Sequence, residues 1–175
     1  LQGDWSSDVC SSDLVNVALV EDGSPVLGAV YVPVTGELYL GVVGQGAKKY
    51  HFDAGATLTQ SDLDGGIALP VAMDRPFTAV GSRSHMNEET SDFLEQYRKK
   101  HGTVEIISKG SSLKMCMVAE GLADVYPRFA PTMEWDTAAG QAVVEAAGFQ
   151  MVTRDERTPL QYNKENLLNP HFIVL

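Results

Sequence analysis

Cysteine is scarce in this chain, basic residues are outnumbered, and no apolar run approaches the length of a membrane-spanning helix. Of the two cysteines, Cys10 lies in a serine- and aspartate-rich leader and Cys116 within an apolar helical pattern. A lone thiol of that kind excludes a disulfide framework and suits a reducing compartment. The expected location is therefore the cytoplasm, with peripheral attachment at the inner membrane face as a second placement. Lysine and arginine number 13 against 23 acids, for a formal charge of -10. Such a chain repels nucleic acid overall, so a nucleic acid polymer is not an expected partner. Without a run of about 20 apolar residues, no membrane insertion is expected. At 44% hydrophobic and 21% charged over 175 residues, the chain can bury one good core.

The first residues stand apart. Leu1 is no initiator, and residues 4–14, DWSSDVCSSDL, carry a near-repeat with no apolar period. They read as the in-frame translation of a sequencing adapter, and residues 1–14 are set aside as an artefactual leader. Removing Asp4, Asp8 and Asp13 from a charge of -10 leaves about -7.

Residues 15–21, 26–33 and 37–43 alternate as strands of an antiparallel meander, with a fourth strand at 47–52. The EDGSP segment between the first two reads as a hairpin turn, and residues 57–70 as a polar connection. After Pro76, strands at 78–81, 103–107, 123–126, 149–153 and 172–174 alternate with helices. One helix is expected at 87–100, with Phe93, Leu94 and Tyr97 on one face; a second is expected at 111–120. Alternation of this kind argues for an α/β layer. A boundary is placed near residue 77, separating the remainder of an N-terminal antiparallel region (15–77) from a C-terminal α/β region (78–175).

Residues 133–148, MEWDTAAGQAVVEAAG, put Asp136 at the mouth of a helix of small apolar residues that Gly148 stops. An acid there either caps the helix or faces a phosphate or metal-bound phosphate drawn to the positive helix end. Lys114 follows Ser111 and Ser112 at another helix start, where ammonium, hydroxyls and backbone donors can meet one anion; the other reading is a cap and a solvated lysine. Arg128 between Pro127 and Phe129 can fork onto phosphate or stack on a purine, or else form a surface ion pair. His85, at a strand end, is either a nucleotide hydrogen-bonder or a loop residue. Ser82, Arg83 and Ser84 shape the same loop. Trp135 is expected to pack the start of its helix, and Glu134 to be exposed. His51, Glu120 and Asp124 are read as structural.

The segments GSRSH (81–85), GSSLK (110–114), YPRF (126–129) and WDTAAG (135–140), in this order and followed by a terminal NPHFIVL, resemble the C-terminal part of the inositol monophosphatase superfamily. The nearest branch is similar to the CysQ-type 3'(2'),5'-bisphosphate nucleotidases. The resemblance covers residues 15–175. It implies a layered αβαβα sugar-phosphatase-like α/β fold, N-terminally truncated, with the antiparallel β-meander followed by the α/β region. It further implies Mg²⁺ as cofactor, Asp136 as a metal ligand, and a nucleotide bisphosphate held by His85, Ser111, Lys114, Arg128 and Asp136. The implied reaction is hydrolysis of adenosine 3',5'-bisphosphate to AMP and phosphate, linked to sulfur metabolism. Family members carry further ligands in GExE- and DPxDGT-type motifs, and neither occurs in this sequence. Asp22 and Asp64, each followed by Gly, do not replace them. Negligible turnover by this chain alone is therefore expected, and no residue is assigned as catalytic base. An inositol or sugar phosphate substrate, or non-catalytic binding of adenine nucleotides, stays open as an alternative; oligomeric state is not set by the sequence.

Overall fold

The computed structural model describes residues 14–53, 55–57, 59–81, 87–155 and 157–175. The meander forms from strands β1 (Val15–Glu21), β2 (Ser24–Val32), β3 (Glu37–Val42) and β4 (Gly46–His51), paired antiparallel in sequence order. Asp22 and Gly23 both take positive φ, 48° and 79°, and close a two-residue hairpin that sets Glu21 opposite Ser24. Two such residues match the twist of the flanking strands, so EDGSP is the turn its composition suggests.

The expected polar connection at 57–70 is corrected. It contains a short helix, α1 (Gln60–Asp64), and a fifth strand, β5 (Ile67–Leu69), which pairs with β4. A five-residue helix is too short to leave a period in the sequence. Its start is instead fixed by Asp62, whose carboxylate accepts from the Thr59 N–H at 2.7 Å.

Beyond residue 77 come β6 (Thr78–Val80), α2 (Glu88–His101), β7 (Glu105–Ile107), α3 (Leu113–Glu120), β8 (Tyr126–Arg128), α4 (Glu134–Ala146), β9 (Met151–Thr153) and β10 (Phe172–Val174). β6 and β7 pair in parallel, while β10 lies between β8 and β9 in an antiparallel sheet. The strand expected at 123–126 is displaced to Tyr126–Arg128, because its partner is β10, more than forty residues on; Val125 makes only a bridge to Ala79. The register puts Arg128 opposite Phe172.

α4 packs across the meander, and its small residues are what permit this. Gly28 and Gly41 sit opposite one another on β2 and β3. A Cβ on Gly28 would fall 2.1 Å from the Ala139 carbonyl oxygen, and one on Gly41 would fall 2.6 Å from the Val143 Cα. Backbone and helix can touch only where side chains are missing from the sheet. One buried cluster runs from Val30, Val32 and Tyr39 through Met115, Cys116 and Val118 to Val143, Met151 and Phe172, and so draws on both sides of residue 77. A smaller one joins Leu94, Val125, Phe129 and Ile173, with Phe93 and Tyr97 packed against it. Among the described residues no helix is long and apolar enough to cross a membrane.

Candidate functional site

The start of α3, the strand β8 and the first turn of α4 converge on a cavity of about 300 Å³ whose walls include Ser111, Lys114, Arg128, Thr132, Asp136 and Thr137. Ser111 has φ +49°, left-handed for a serine, and Ser112 follows as the residue before α3. The Ser112 hydroxyl donates to the Asp136 carbonyl at 2.8 Å, tying the two helix starts together. That bond, between residues 24 apart in sequence, keeps the lysine-bearing and acid-bearing turns on one hollow.

Asp136 occupies the third position of α4. Its Oδ2 accepts from the Met133 N–H at 2.9 Å, a capping bond, while no hydrogen bond among the described residues engages Oδ1. Cap and ligand are therefore compatible readings of one side chain. A hard carboxylate oxygen with hydroxyls nearby is the donor chemistry Mg²⁺ takes. The residues present suit one member of a ligand set. Among the described residues no cluster of three His, Cys, Asp or Glu could hold an ion by itself.

The basic side of the cavity is unusual. Burial pushes the Lys114 ammonium below the ordinary lysine range, and the neighbouring Arg128 charge pushes it the same way. Its Nζ stands 5.9 Å from the Tyr126 ring centroid. Arg128 Nη2 reaches the Pro131 carbonyl at 3.3 Å, but its Nε is buried without a partner. Among the described residues no carboxylate pairs with Arg128. Two adjacent, partly desolvated cations with an unused donor have the chemistry to accept an anion.

The structure thus brings together Ser111, Lys114, Arg128 and Asp136, while His85 lies outside the described residues. Two expectations are overturned. Glu134 is buried, at 8% exposure, and accepts from the backbone N–H groups of Asn163 and Lys164 and from the Lys164 ammonium. Burial raises its pKa, but these donors outweigh it and leave the carboxylate below its ordinary range. Trp135 is not packed into the start of α4 as expected; it is 60% exposed, at the margin of a hollow beside β1. Helical periodicity saw one helix, whereas residues 161–169 fold over its first turn from one side only. Sequence reasoning also missed Asn169, whose buried amide donates to the Met133 carbonyl and the Thr137 hydroxyl, each at 2.9 Å. It opens the NPHFIVL segment noted in the sequence, but its role was not legible there because its partners lie more than thirty residues away. Larger hollows occur elsewhere, one of about 480 Å³ beside Lys49 and His51, but there Lys49 is already paired with Glu37 and Glu120.

Comparison with known proteins identifies the family. The family model described as the inositol monophosphatase family matches residues 14–172. The chain belongs to that family. It is 41% identical over 160 residues to the 3'(2'),5'-bisphosphate nucleotidase CysQ of Salmonella typhimurium, covering 91% of this chain and 58% of that protein. Against the Escherichia coli protein of the same name it is 42% identical over 161 residues, with the same coverage. The crystal structure of CysQ from Bacteroides thetaiotaomicron superposes with a TM-score of 0.85 at 50% identity, over 94% of this chain and 62% of that one. An inositol monophosphatase from Zymomonas mobilis shares the fold, with a TM-score of 0.67 at 21% identity, over 94% of this chain and 57% of that one. The chain spans 58% of the length of these two curated relatives.

Proposed function

We propose that this chain carries the phosphate-binding half of a Mg²⁺-dependent 3'(2'),5'-bisphosphate nucleotidase, the parent reaction being adenosine 3',5'-bisphosphate to AMP and phosphate. The observation that carries this reading is the buried, unpartnered Nε of Arg128 beside a lysine whose charge burial disfavours. A site with two cations on one wall and a free carboxylate oxygen on the other suits a ligand with two phosphoryl groups. The relatives named as bisphosphate nucleotidases at 41 to 42% identity support the same choice.

In this reading Lys114 and Arg128 hold the phosphate that is not cleaved, with Ser111 contributing its hydroxyl and His85 a hydrogen bond to the nucleotide. Asp136 Oδ1 would be one Mg²⁺ ligand, oriented by the Met133 N–H on Oδ2. A bound Mg²⁺ supplies Lewis-acid polarisation and neutralises charge on the phosphoryl oxygens. The chain's own residues bind and orient the substrate. With a single carboxylate on the cavity wall and neither GExE nor DPxDGT in the 175 residues, turnover by this chain alone is expected to be negligible.

Two measurements on the purified chain test the proposal. Phosphate release from adenosine 3',5'-bisphosphate with Mg²⁺ should match that of Asp136→Ala; a rate well above that variant would overturn the inactivity. Adenosine 3',5'-bisphosphate should raise the melting temperature more than inositol 1-phosphate at equal concentration, as a ligand of the folded state does. The reverse order would move the assignment to an inositol phosphatase.

A further inference from the structure

Four serine and threonine hydroxyls stand on the wall of the cavity between the starts of α3 and α4, and three of them have a use already. The Ser111 hydroxyl is part of the proposed phosphate contact. The Ser112 hydrogen goes to the Asp136 carbonyl at 2.8 Å. Thr137, 1% exposed, accepts from the Asn169 amide at 2.9 Å and meets the Tyr162 hydroxyl and the Glu134 carbonyl at 3.2 Å each. Its oxygen and its hydrogen are both engaged inside the protein. Thr132 is the exception. Its Oγ1 accepts from Asn169 Nδ2 at 3.3 Å, and an amide nitrogen cannot accept in return. The Met133 carbonyl, 2.9 Å from the same Nδ2, fixes the orientation of that amide, since the reverse would set two oxygens against each other. Among the described residues the Thr132 hydroxyl hydrogen therefore has no acceptor.

That hydroxyl is also held in place. The Thr132 carbonyl accepts from the Asn169 N–H at 2.9 Å, Met133 bridges Leu168, and the Glu134 N–H donates to the Leu167 carbonyl at 3.0 Å. The residues entering α4 thus form a short antiparallel ribbon with 167–169. Pro131, just before Thr132, accepts from Arg128 Nη2 at 3.3 Å, which brings the guanidinium and its buried, unpartnered Nε alongside. We propose that Thr132 donates a hydrogen bond to the phosphate group held by Lys114 and Arg128, as a further substrate-binding residue of this cavity. The proposal rests on reading the cavity as a phosphate site. A phosphate group carries three strong acceptor oxygens, more than one planar fork can serve. A neutral donor adds a bond without adding to the repulsion between the two cations. A hydroxyl fixed by backbone bonds before the ligand arrives loses little freedom on binding.

A metal-free calorimetric titration of adenosine 3',5'-bisphosphate into the purified chain tests this, with Arg128→Ala as the control for the phosphate site itself. Thr132→Val keeps the shape and loses the donor, and should bind roughly tenfold more weakly at an unchanged melting temperature of the free chain. Thr132→Ser keeps the donor and should bind within about twofold of the parent. If the valine variant does not fold, Thr132→Ala carries the same expectation. Parent affinity in Thr132→Val, while Arg128→Ala binds weakly, would overturn the role of Thr132 and leave the phosphate site standing. A serine variant as weak as the valine one would overturn it as well. Affinity unchanged in both Thr132→Val and Arg128→Ala, or a parent chain that does not bind, would overturn the phosphate site together with it.

Discussion

At the scale of single residues, Lys114 and Arg128 carry the binding reading and Asp136 the metal reading. Replacing either cation by alanine removes charge-assisted bonds to phosphate, each contributing about 1.5 to 3 kcal/mol, or roughly ten- to a hundredfold in affinity. The loss should appear in titrations with adenosine 3',5'-bisphosphate while the melting temperature of the free chain falls little. Lys114 also gives the site a pH dependence. Its pKa is lowered in the free protein and an anion at its side raises it again. Affinity should therefore be full below the free-state pKa and decline as pH rises through it, beginning below the ordinary lysine range. Titrations between neutral and alkaline pH check this, and Lys114→Ala should flatten the curve. Cys116 takes no part: burial raises its thiol far above ordinary values, and it stays unreactive.

At the scale of elements, two contacts fix where the site residues point. The first is α4 against the glycines of β2 and β3. Gly41→Ala would force backbone apart at a buried crossing and is expected to cost about 1 to 3 kcal/mol, visible as a lower melting temperature. The second is the fold of residues 161–169 over the start of α4, pinned by Glu134 and Asn169. Glu134→Gln leaves the Lys164 ammonium without its acid and should cost about 1 to 3 kcal/mol. Faster amide exchange in 161–169, with α3 unchanged, would locate the loss there. Since the folded pKa of Glu134 is depressed, its contribution is present above the unfolded value and disappears as pH falls through the folded one. Elements with a period were legible in the sequence: the alternating strands of the meander, the Phe93, Leu94 and Tyr97 face of α2, and the small-residue pattern of α4. Those defined by distant partners were not. β5 is too short to be periodic, β8 takes its bounds from β10, and the burial of Glu134 depends on a loop thirty residues away.

At the scale of the whole molecule, the described residues join a buried core drawn from both sides of residue 77 to the polar hollow between the starts of α3 and α4. The four segments that carry the family resemblance are distant in sequence, and their order alone said nothing of contact. In the structure the starts of α3 and α4 are bonded through Ser112, which is why Lys114 and Asp136 share a cavity. The small residues of α4 serve close packing on Gly28 and Gly41. The proposed chemistry rests on the residues just before and at the first turn.

The most direct test of the central proposal is a calorimetric titration of adenosine 3',5'-bisphosphate into the purified chain, with and without Mg²⁺. Binding should be strengthened by Mg²⁺, lose that strengthening in Asp136→Ala, and weaken about tenfold or more in Lys114→Ala and Arg128→Ala alike. Affinity indifferent to both cation substitutions, in variants that remain folded, would contradict the placement of the nucleotide in this cavity.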